Sequence, residues 1–320
     1  MAKKDLAKSI NKQINLCQIN PSSSKIIYGI SVDKKRFIIL GVPDMKVSLP
    51  QWPIIIFALL LSIVFPPVNA KQLNTSQAIN QAGLQRMLSQ RMAKNYILLS
   101  QNIDANAAAD ELDESAALFE ENLFNLTSSI KDKKSKTALQ RLKREWYGFR
   151  VFALENAKTE NTERVVKKST SLLKTAHALV LSIEFTSRSH SDHLVNLSGR
   201  QRMLSQRLAM LYYASNSGYT EKLFQQEMHK TARQFDQALT KLIKSRENTP
   251  EIKESLQDIA NQWSFYKTRF DGSDKGRFSP KTIKVVSESL LKAMNDITKL
   301  YEIVSTSENK YASWIKPANK

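Results

Sequence analysis

The sequence predicts an all-α protein that consists of two tandem up-down-up-down four-helix bundles. Only three of the nine prolines follow residue 71, so little interrupts long helices there. Apolar residues recur three and four positions apart, as on the buried face of a helix, and no alternating β-branched run stands out. The heptapeptide QRMLSQR occurs at 85–91 and again at 201–207, which indicates a duplicated unit.

The first 70 residues predict a targeting segment that lies outside the fold. The apolar run 54–65 is short for a membrane-spanning helix, which needs about 20 residues. It follows Met45 and precedes Ala70, the pattern of a signal peptide over 45–70. We therefore expect residues 1–44 to be an over-extended gene start or a disordered tail. The alternative is an uncleaved anchor with a basic cytoplasmic tail.

Composition restricts the function classes. The chain has 320 residues and a formal net charge of +18, which favours an acidic partner such as an anion or a lipid headgroup. We expect no nucleic-acid partner, because the exported part has no stripe of alternating basic and aromatic residues. The single cysteine, Cys17, precedes the predicted mature chain, so thiol chemistry, disulfides and cysteine metal sites are excluded there.

The first copy contains four predicted amphipathic helices with short connections, which is typical of a four-helix bundle. The first helix begins after Thr75 or Ser76 and ends near Ile103. The third carries Trp146, which we assign to the core. The remaining boundaries are 107–130 for the second helix, 131–136 for a charged loop, 137–158 for the third helix, and a start after Asn161 or Thr162 for the fourth.

The second copy repeats this layout with small loop insertions. Gly218 resembles a helix C-terminal glycine, and Pro250 and Pro280 follow the N-cap residues Thr249 and Ser279. We predict one bundle over 71–190, a second over 191–310 and a tail over 311–320. The matching positions are Phe119 with Phe235, Trp146 with Trp263, and 172–174 with 290–292, at offsets of 116, 117 and 118 residues.

The connection between the copies has two interpretations. We favour a single helix over 162–216, about 82 Å long at 1.5 Å per residue. The bundles would then stack end to end, with the two motifs about 40 Å apart, and each site would need a homodimer partner. In the alternative, the weak helix formers of 186–193 form a hinge. The chain would then fold back near Ser189, and the two copies would face each other within one chain.

The repeated motif predicts an anion site. On a helix, Arg86 shares a stripe with small residues, and Gly83 permits close approach of a neighbouring backbone. The planar guanidinium suits a planar oxyanion. The alternative is an ordinary salt bridge to an acid on another helix, such as Asp113, Glu114 or Glu120. The candidate ligand-binding residues are Arg86, Arg202, Gly83, Gly199, Ser89 and Ser205, and the secondary candidates are Arg91, Arg207, Arg200, Asn80 and Asn196.

The segment 80–94 (NQAGLQRMLSQRMAK) resembles the signature of the N-terminal sensing domain of type IV pili methyl-accepting chemotaxis transducers. That domain is related to the periplasmic sensor domain of nitrate/nitrite sensor kinases. The resemblance implies a dimerising four-helix bundle with nitrate between equivalent arginines, here matched by Arg86 and Arg202. Leu84 departs from the usual arginine, which the second copy keeps as Arg200, and Ser198 and Met210 depart from the usual alanine and lysine.

Two functions therefore compete. The first is a periplasmic or inner-membrane-anchored binding module for a small oxyanion, with nitrate or nitrite favoured by the resemblance. With no transmitter region in the sequence, its signal would pass to a membrane-bound transducer or kinase, and a homodimer is possible. The second is a ligand-free adaptor that docks on a pilus-associated transducer. No pattern indicates an enzyme or a cofactor, and His190 with His193 is too sparse for a metal site.

Overall fold

The computed structural model describes residues 72–187, 189–217, 221–270 and 279–315. Within these ranges the protein is all-α, as predicted, and contains no strand. No described helix is both long and apolar enough to cross a bilayer. The predicted gene-start extension, the signal peptide or anchor, Gly218 and the last five residues lie outside the described ranges.

The described residues contain eight α-helices in two sets of four. In chain order, the first set is α1 to α4, with a short 3-10 turn before α4, and the second set is α5 to α8. Their bounds are α1 Thr75–Ser100, α2 Ala105–Ser129, α3 Lys133–Ala153, α4 Thr162–Glu184, α5 His190–Ser215, α6 Glu221–Ile243, α7 Pro250–Phe270 and α8 Pro280–Ile315.

Side-chain caps explain where several helices begin. Asn74 and Gln77 form a reciprocal capping box at the start of α1. The predicted starts at Pro250 and Pro280 are confirmed, and the hydroxyls of the preceding Thr249 and Ser279 accept backbone N–H bonds. The predicted loop 131–136 is wrong from residue 133 onward, because Asp132 caps Ser135 N at 2.8 Å and lets α3 begin at Lys133.

Aromatic pairs occupy the same place in both bundles. The rings of Phe119 and Trp146 stack with centroids 4.1 Å apart, and those of Phe235 and Trp263 lie 4.4 Å apart. All four side chains are buried, which confirms the core assignment of Trp146. The duplication is therefore structural as well as sequential.

The predicted continuous helix between the bundles is wrong. Helix α4 ends at Glu184 and α5 begins at His190. The serines of this segment form local bonds that compete with a helical ladder, since Ser187 Oγ accepts the Ser189 N–H at 3.1 Å and donates to Asp192. The predicted end-to-end stacking is wrong as well, and the fold-back alternative is confirmed.

Helices α1 and α5 pack against each other in parallel and in register. Contacts join their first turns (Ser76 Oγ to Asp192 Oδ1, 2.6 Å), their centres (Arg207 Nη1 to Gln90 Oε1, 2.9 Å) and their last turns (Gln101 Nε2 to the Tyr213 carbonyl, 2.9 Å). The partners in each contact are separated by 112 to 117 residues, close to the repeat offset. The two bundles therefore lie side by side around a pseudo-twofold axis between α1 and α5.

Candidate functional site

Arg86 on α1 and Arg202 on α5 lie in the middle of this parallel pair. Each side chain is about 1% exposed, and they are among the largest fully buried side chains of the described chain. The ~40 Å separation expected for stacked bundles is wrong, because the copies pack side by side. The two equivalent arginines come together within one chain.

Gly83 and Gly199 border the space between the two guanidinium groups. A Cβ built on Gly199 would lie 3.0 Å from Arg202 Nη2 and 3.7 Å from Arg86 Nη2. A Cβ on Gly83 would lie 3.2 Å from Arg86 Nη2 and 3.6 Å from Arg202 Nη2. Both glycines thus leave space for the ends of the two guanidinium groups, and the atoms nearest to the built Cβ belong to arginine side chains and not to the neighbouring backbone that Gly83 was expected to admit.

Arg202 is well bonded to neutral groups. Its Nη2 donates to Asn80 Oδ1 at 2.7 Å, and its Nη1 donates to Asn295 Oδ1 at 2.9 Å. Asn80 in turn donates to Glu302 at 2.6 Å, which fixes the amide orientation. Arg202 therefore ties α5 to both α1 and α8.

Arg86 has fewer and weaker bonds at the equivalent place. Its Nη2 donates to the Asn196 carbonyl at 3.2 Å, while Asn196 Oδ1 is buried without a hydrogen-bond partner in the described structure. Its Nη1 lies 3.4 Å from His177 Nδ1, and His177 is the counterpart of Asn295, 118 residues earlier. Asn196 Nδ2 donates to Glu184 at 2.6 Å, repeating the Asn80 arrangement.

Neither arginine forms an ion pair with a carboxylate in the described ranges. The predicted alternative partners do not reach them, and Glu120 pairs with Arg150 at 2.8 Å instead. The Nε of each arginine is buried with no hydrogen-bond partner among the described residues. The centre of the α1–α5 interface thus holds two positive charges whose direct hydrogen-bond partners are neutral, while Glu184 and Glu302 act on them from a greater distance.

This environment lowers the pKa of the basic groups. The pKa of Arg86 falls to about 9, chiefly by burial and further by the charges of Arg202 and Arg200. Burial lowers the pKa of Arg202 to about 10, although the carboxylate of Glu302 opposes the shift. Burial and then the Arg86 charge lower the pKa of His177 to about 4, so its neutral Nδ1 accepts from Arg86. The arginines remain charged at neutral pH, but their surroundings disfavour that charge.

The two serines of the motif bond to their own helices. Ser89 Oγ donates to the Arg86 carbonyl at 2.7 Å, and Ser205 Oγ donates to the Arg202 carbonyl at 2.8 Å. Each hydroxyl proton is therefore directed at the backbone of the residue that carries the guanidinium. The serine hydroxyls therefore bond within their own helices, whereas Gly83 and Gly199 border the guanidinium ends.

The secondary arginines lie on other faces and differ between the copies. Arg91 lies within ion-pair distance of Glu111 and Glu288, at 3.6 and 3.7 Å. Arg207 pairs with Glu227 at 3.3 Å and donates to Gln90 across the interface. Arg91 and Arg207 thus hold neighbouring helices and lie apart from the Arg86–Arg202 pair.

Arg86 also borders an open cleft of 740 Å³ between α4, α5 and α6. Arg200 and His177 lie at the same end of this cleft, and their proximity to Arg86 contributes to the pKa shifts above. The cleft connects the buried arginine to the surface.

Sequence reasoning missed His177 and Asn295, the residues that distinguish the two arginines. Extending the repeat alignment at the 118-residue offset would have paired them, because Leu172 and Leu290 already set that register. No group of three or more potential metal ligands occurs in the described ranges. The histidine pair considered for a metal bonds elsewhere, with His193 Nδ1 2.7 Å from Glu184 and His190 3.6 Å from Glu247.

The duplicated helical bundle agrees with a comparison against known protein families. A model of the PilJ family, described as the type IV pili methyl-accepting chemotaxis transducer N-terminal domain, matches residues 68–172 and 185–290. The chain belongs to this family and carries two copies of its domain. No curated protein and no solved structure was found to match the chain.

Proposed function

We propose that this chain is a sensing module that binds one small oxyanion between Arg86 and Arg202. The observation that carries the proposal is the facing pair of buried guanidiniums with no carboxylate in ion-pair contact among the described residues. Removing an ion from water costs several kcal/mol unless a counter-charge compensates. A bound anion would supply that charge to both arginines at once.

Guanidinium geometry suits a planar oxyanion. Each arginine presents donors in one plane, and both Nη2 groups border the space beside Gly83 and Gly199. Each Nε is free of any described partner and supplies a further donor. The family resemblance favours nitrate or nitrite. Arg86 is the more available of the pair, since its present bonds are longer and it borders the cleft.

Binding at this place would act on the contact between the two bundles. The anion would join α1 to α5, and the N-termini and C-termini of these helices are already linked by hydrogen bonds. We propose that a change in this contact passes the signal to a separate membrane-bound transducer or kinase, and that the module works in the periplasm. The proposed role requires no catalysis.

A ligand-free adaptor is the second candidate, and one observation favours it. Arg202 already bonds Asn80 and Asn295 at 2.7 and 2.9 Å, and Arg86 bonds the Asn196 carbonyl. In this role the arginines would simply hold the bundles together. The adaptor would then respond to a docking partner and not to an anion.

Thermal unfolding of the full chain distinguishes the oxyanion sensor from the ligand-free adaptor. The measurement is made in sodium nitrate, nitrite, sulfate and chloride at equal ionic strength. A ligand that binds only the folded state adds about 2.7 kcal/mol at a hundred-fold excess over Kd. We expect one planar oxyanion to raise Tm above chloride, and Arg86→Gln or Arg202→Gln to remove that difference. Arg91→Gln is the matched control, because it changes an arginine of the same motif that lies outside the pair.

An equal response of the wild-type protein to all four salts would reject oxyanion sensing and favour the adaptor. An oxyanion effect that survives Arg86→Gln and Arg202→Gln but disappears in Arg91→Gln would place the site elsewhere. Circular dichroism of each variant verifies that the helices remain.

A further inference from the structure

The cleft between α4, α5 and α6 is polarised along its length. One end is basic and holds Arg86, His177, Arg200 and Lys174. The other end is mainly apolar and holds Val166, Leu211, Leu223 and Phe224, together with the Lys167–Glu163 ion pair. Since α4 runs antiparallel to α5, the two ends are separated by the stretch from Arg200 to Leu211, about 16 Å at 1.5 Å per residue.

Two positively charged side chains at the basic end have no bonded partner among the described residues. Arg200 and Lys174 form no hydrogen bond or ion pair with any residue in the described ranges, whereas Arg207 and Lys230 share Glu227. The lining as a whole contains six basic side chains from lysine and arginine and two carboxylates. The surplus of positive charge is thus concentrated opposite the apolar end.

The equivalent groove on the other side of the molecule is bridged by ion pairs. There Lys94 lies 2.7 Å from Glu288 and 3.4 Å from Glu111, and Lys284 lies 3.4 Å from Glu111. At the matching positions the open cleft has Met210 for Lys94, Thr170 for Glu288 and Val166 for Lys284. The cleft keeps Arg207 and Glu227, the counterparts of Arg91 and Glu111, but lacks the lysines and the α8 carboxylate that bridge the other groove.

We infer that this cleft binds an amphipathic organic anion, a carboxylate with an aliphatic body. Arg200 and Lys174 hold the carboxylate at the basic end, where charge-assisted hydrogen bonds are available. The aliphatic body lies along Met203 and Leu173 toward Leu211, Leu223 and Phe224. The volume of 740 Å³ is within the range of small-molecule sites. This site goes beyond the proposed oxyanion site and does not depend on it.

Isothermal titration of the full chain with octanoate tests the inference. Two further probes divide the ligand into its parts: 1-octanol has the same body without charge, and acetate has the charge without the body. We expect octanoate to bind at least about ten-fold more tightly than either, since the basic end contributes charge and the adjoining Met203 and Leu173 contribute apolar contact. Binding of octanoate no stronger than that of acetate or octanol would overturn the proposal.

Matched variants locate the site. Lys174→Gln should weaken octanoate binding about five-fold, as expected for loss of one charged contact, while Lys292→Gln should leave it unchanged. These exposed lysines occupy equivalent positions, 118 residues apart, and only Lys174 lines the cleft. The first copy has Leu84 at the position of Arg200. Arg200→Leu should therefore weaken octanoate binding by a similar factor. Equal effects of Lys174→Gln and Lys292→Gln would overturn the assignment.

A closing variant provides an independent test. Thr170→Glu combined with Met210→Lys builds a counterpart of the Glu288–Lys94 pair from Thr170, which lines the cleft, and the buried Met210, and we expect it to abolish octanoate binding with unchanged helical content. Octanoate binding that persists in this folded variant would contradict the proposed location. The nitrate response reports separately on the Arg86–Arg202 pair, so failure of octanoate binding leaves the oxyanion proposal standing, and the converse also holds.

Discussion

At the scale of residues, small differences between equivalent positions give the two arginines different roles. Arg202 faces Asn295, an amide oxygen at 2.9 Å, whereas Arg86 faces His177 at 3.4 Å. The arginine motif and its glycines were predictable from the repeated sequence alone. Asn80 and Asn196 were among the sequence candidates, but the partners His177 and Asn295 were not, because they come from α4 and α8 and only helix packing decides which side chains meet across an interface.

Alanine substitution of Gly199, which lies next to the guanidinium pair, can be compared with the same substitution at Gly148, which lies away from it. An alanine at Gly148, which has nothing within 4 Å of its added Cβ, should raise the free energy of unfolding by up to about 1 kcal/mol through helix propensity. Gly199→Ala gains the same propensity but places its Cβ 3.0 Å from Arg202 Nη2. We expect the free energy of unfolding of Gly199→Ala, measured by urea denaturation, to be about 1–3 kcal/mol lower than that of Gly148→Ala, because the added methyl group overpacks the interface.

Gly83→Ala completes this series. Its nearest contact is 3.2 Å, so we expect a stability between those of the other two variants. Equal stabilisation by all three alanines would show that the guanidinium ends do not border the glycines in solution.

At the scale of elements, the ion pairs on one side of the molecule explain why the two halves are not equivalent. Lys94 is fully buried and depends on Glu288 and Glu111 for its counter-charge. Although burial opposes ionisation, the charges of Lys94 and Arg91 hold the pKa of Glu288 below its ordinary value. This cluster fixes α1 against α2 and α8. The sequence contained all of these residues, but their spacing along the chain did not indicate that three helices would bring them together.

Removing one partner of this cluster should be costly. Glu288→Thr leaves buried Lys94 with Glu111 alone, and we expect the free energy of unfolding to fall by about 3 kcal/mol. The double variant Lys94→Met with Glu288→Thr reproduces the Met210–Thr170 combination of the other groove. We expect it to recover most of the loss in urea denaturation, because no uncompensated charge remains. Additive losses from the two substitutions would contradict the ion-pair interpretation.

At the scale of the whole molecule, the duplication places both halves of the arginine pair in one chain. The resemblance implied that equivalent arginines meet between two protomers, whereas here α1 and α5 meet within the fold. A second copy of the chain is therefore unnecessary for the proposed oxyanion site. This arrangement also allows the two halves to diverge, and one groove is closed while the other is open.

Binding stoichiometry tests this arrangement. We expect one oxyanion per chain and a Kd that does not change with protein concentration, because both arginines belong to the same molecule. Isothermal titration at several protein concentrations measures both quantities, and sedimentation measures the mass of the species that binds. One oxyanion per two chains, with a Kd that improves as protein concentration rises, would favour a site between protomers.

The sequence by itself determined the helical class, the duplication, the arginine motif and several helix starts, since these depend on local periodicity and capping. Tertiary structure decided how the two bundles meet. Residues 85–90 of α1 are buried without interruption, and so are residues 201–211 of α5, so each helix is surrounded by others. Burying the remaining face of each helix against the other is what brings the bundles side by side. That choice depends on contacts between residues more than a hundred positions apart, which local sequence patterns do not encode.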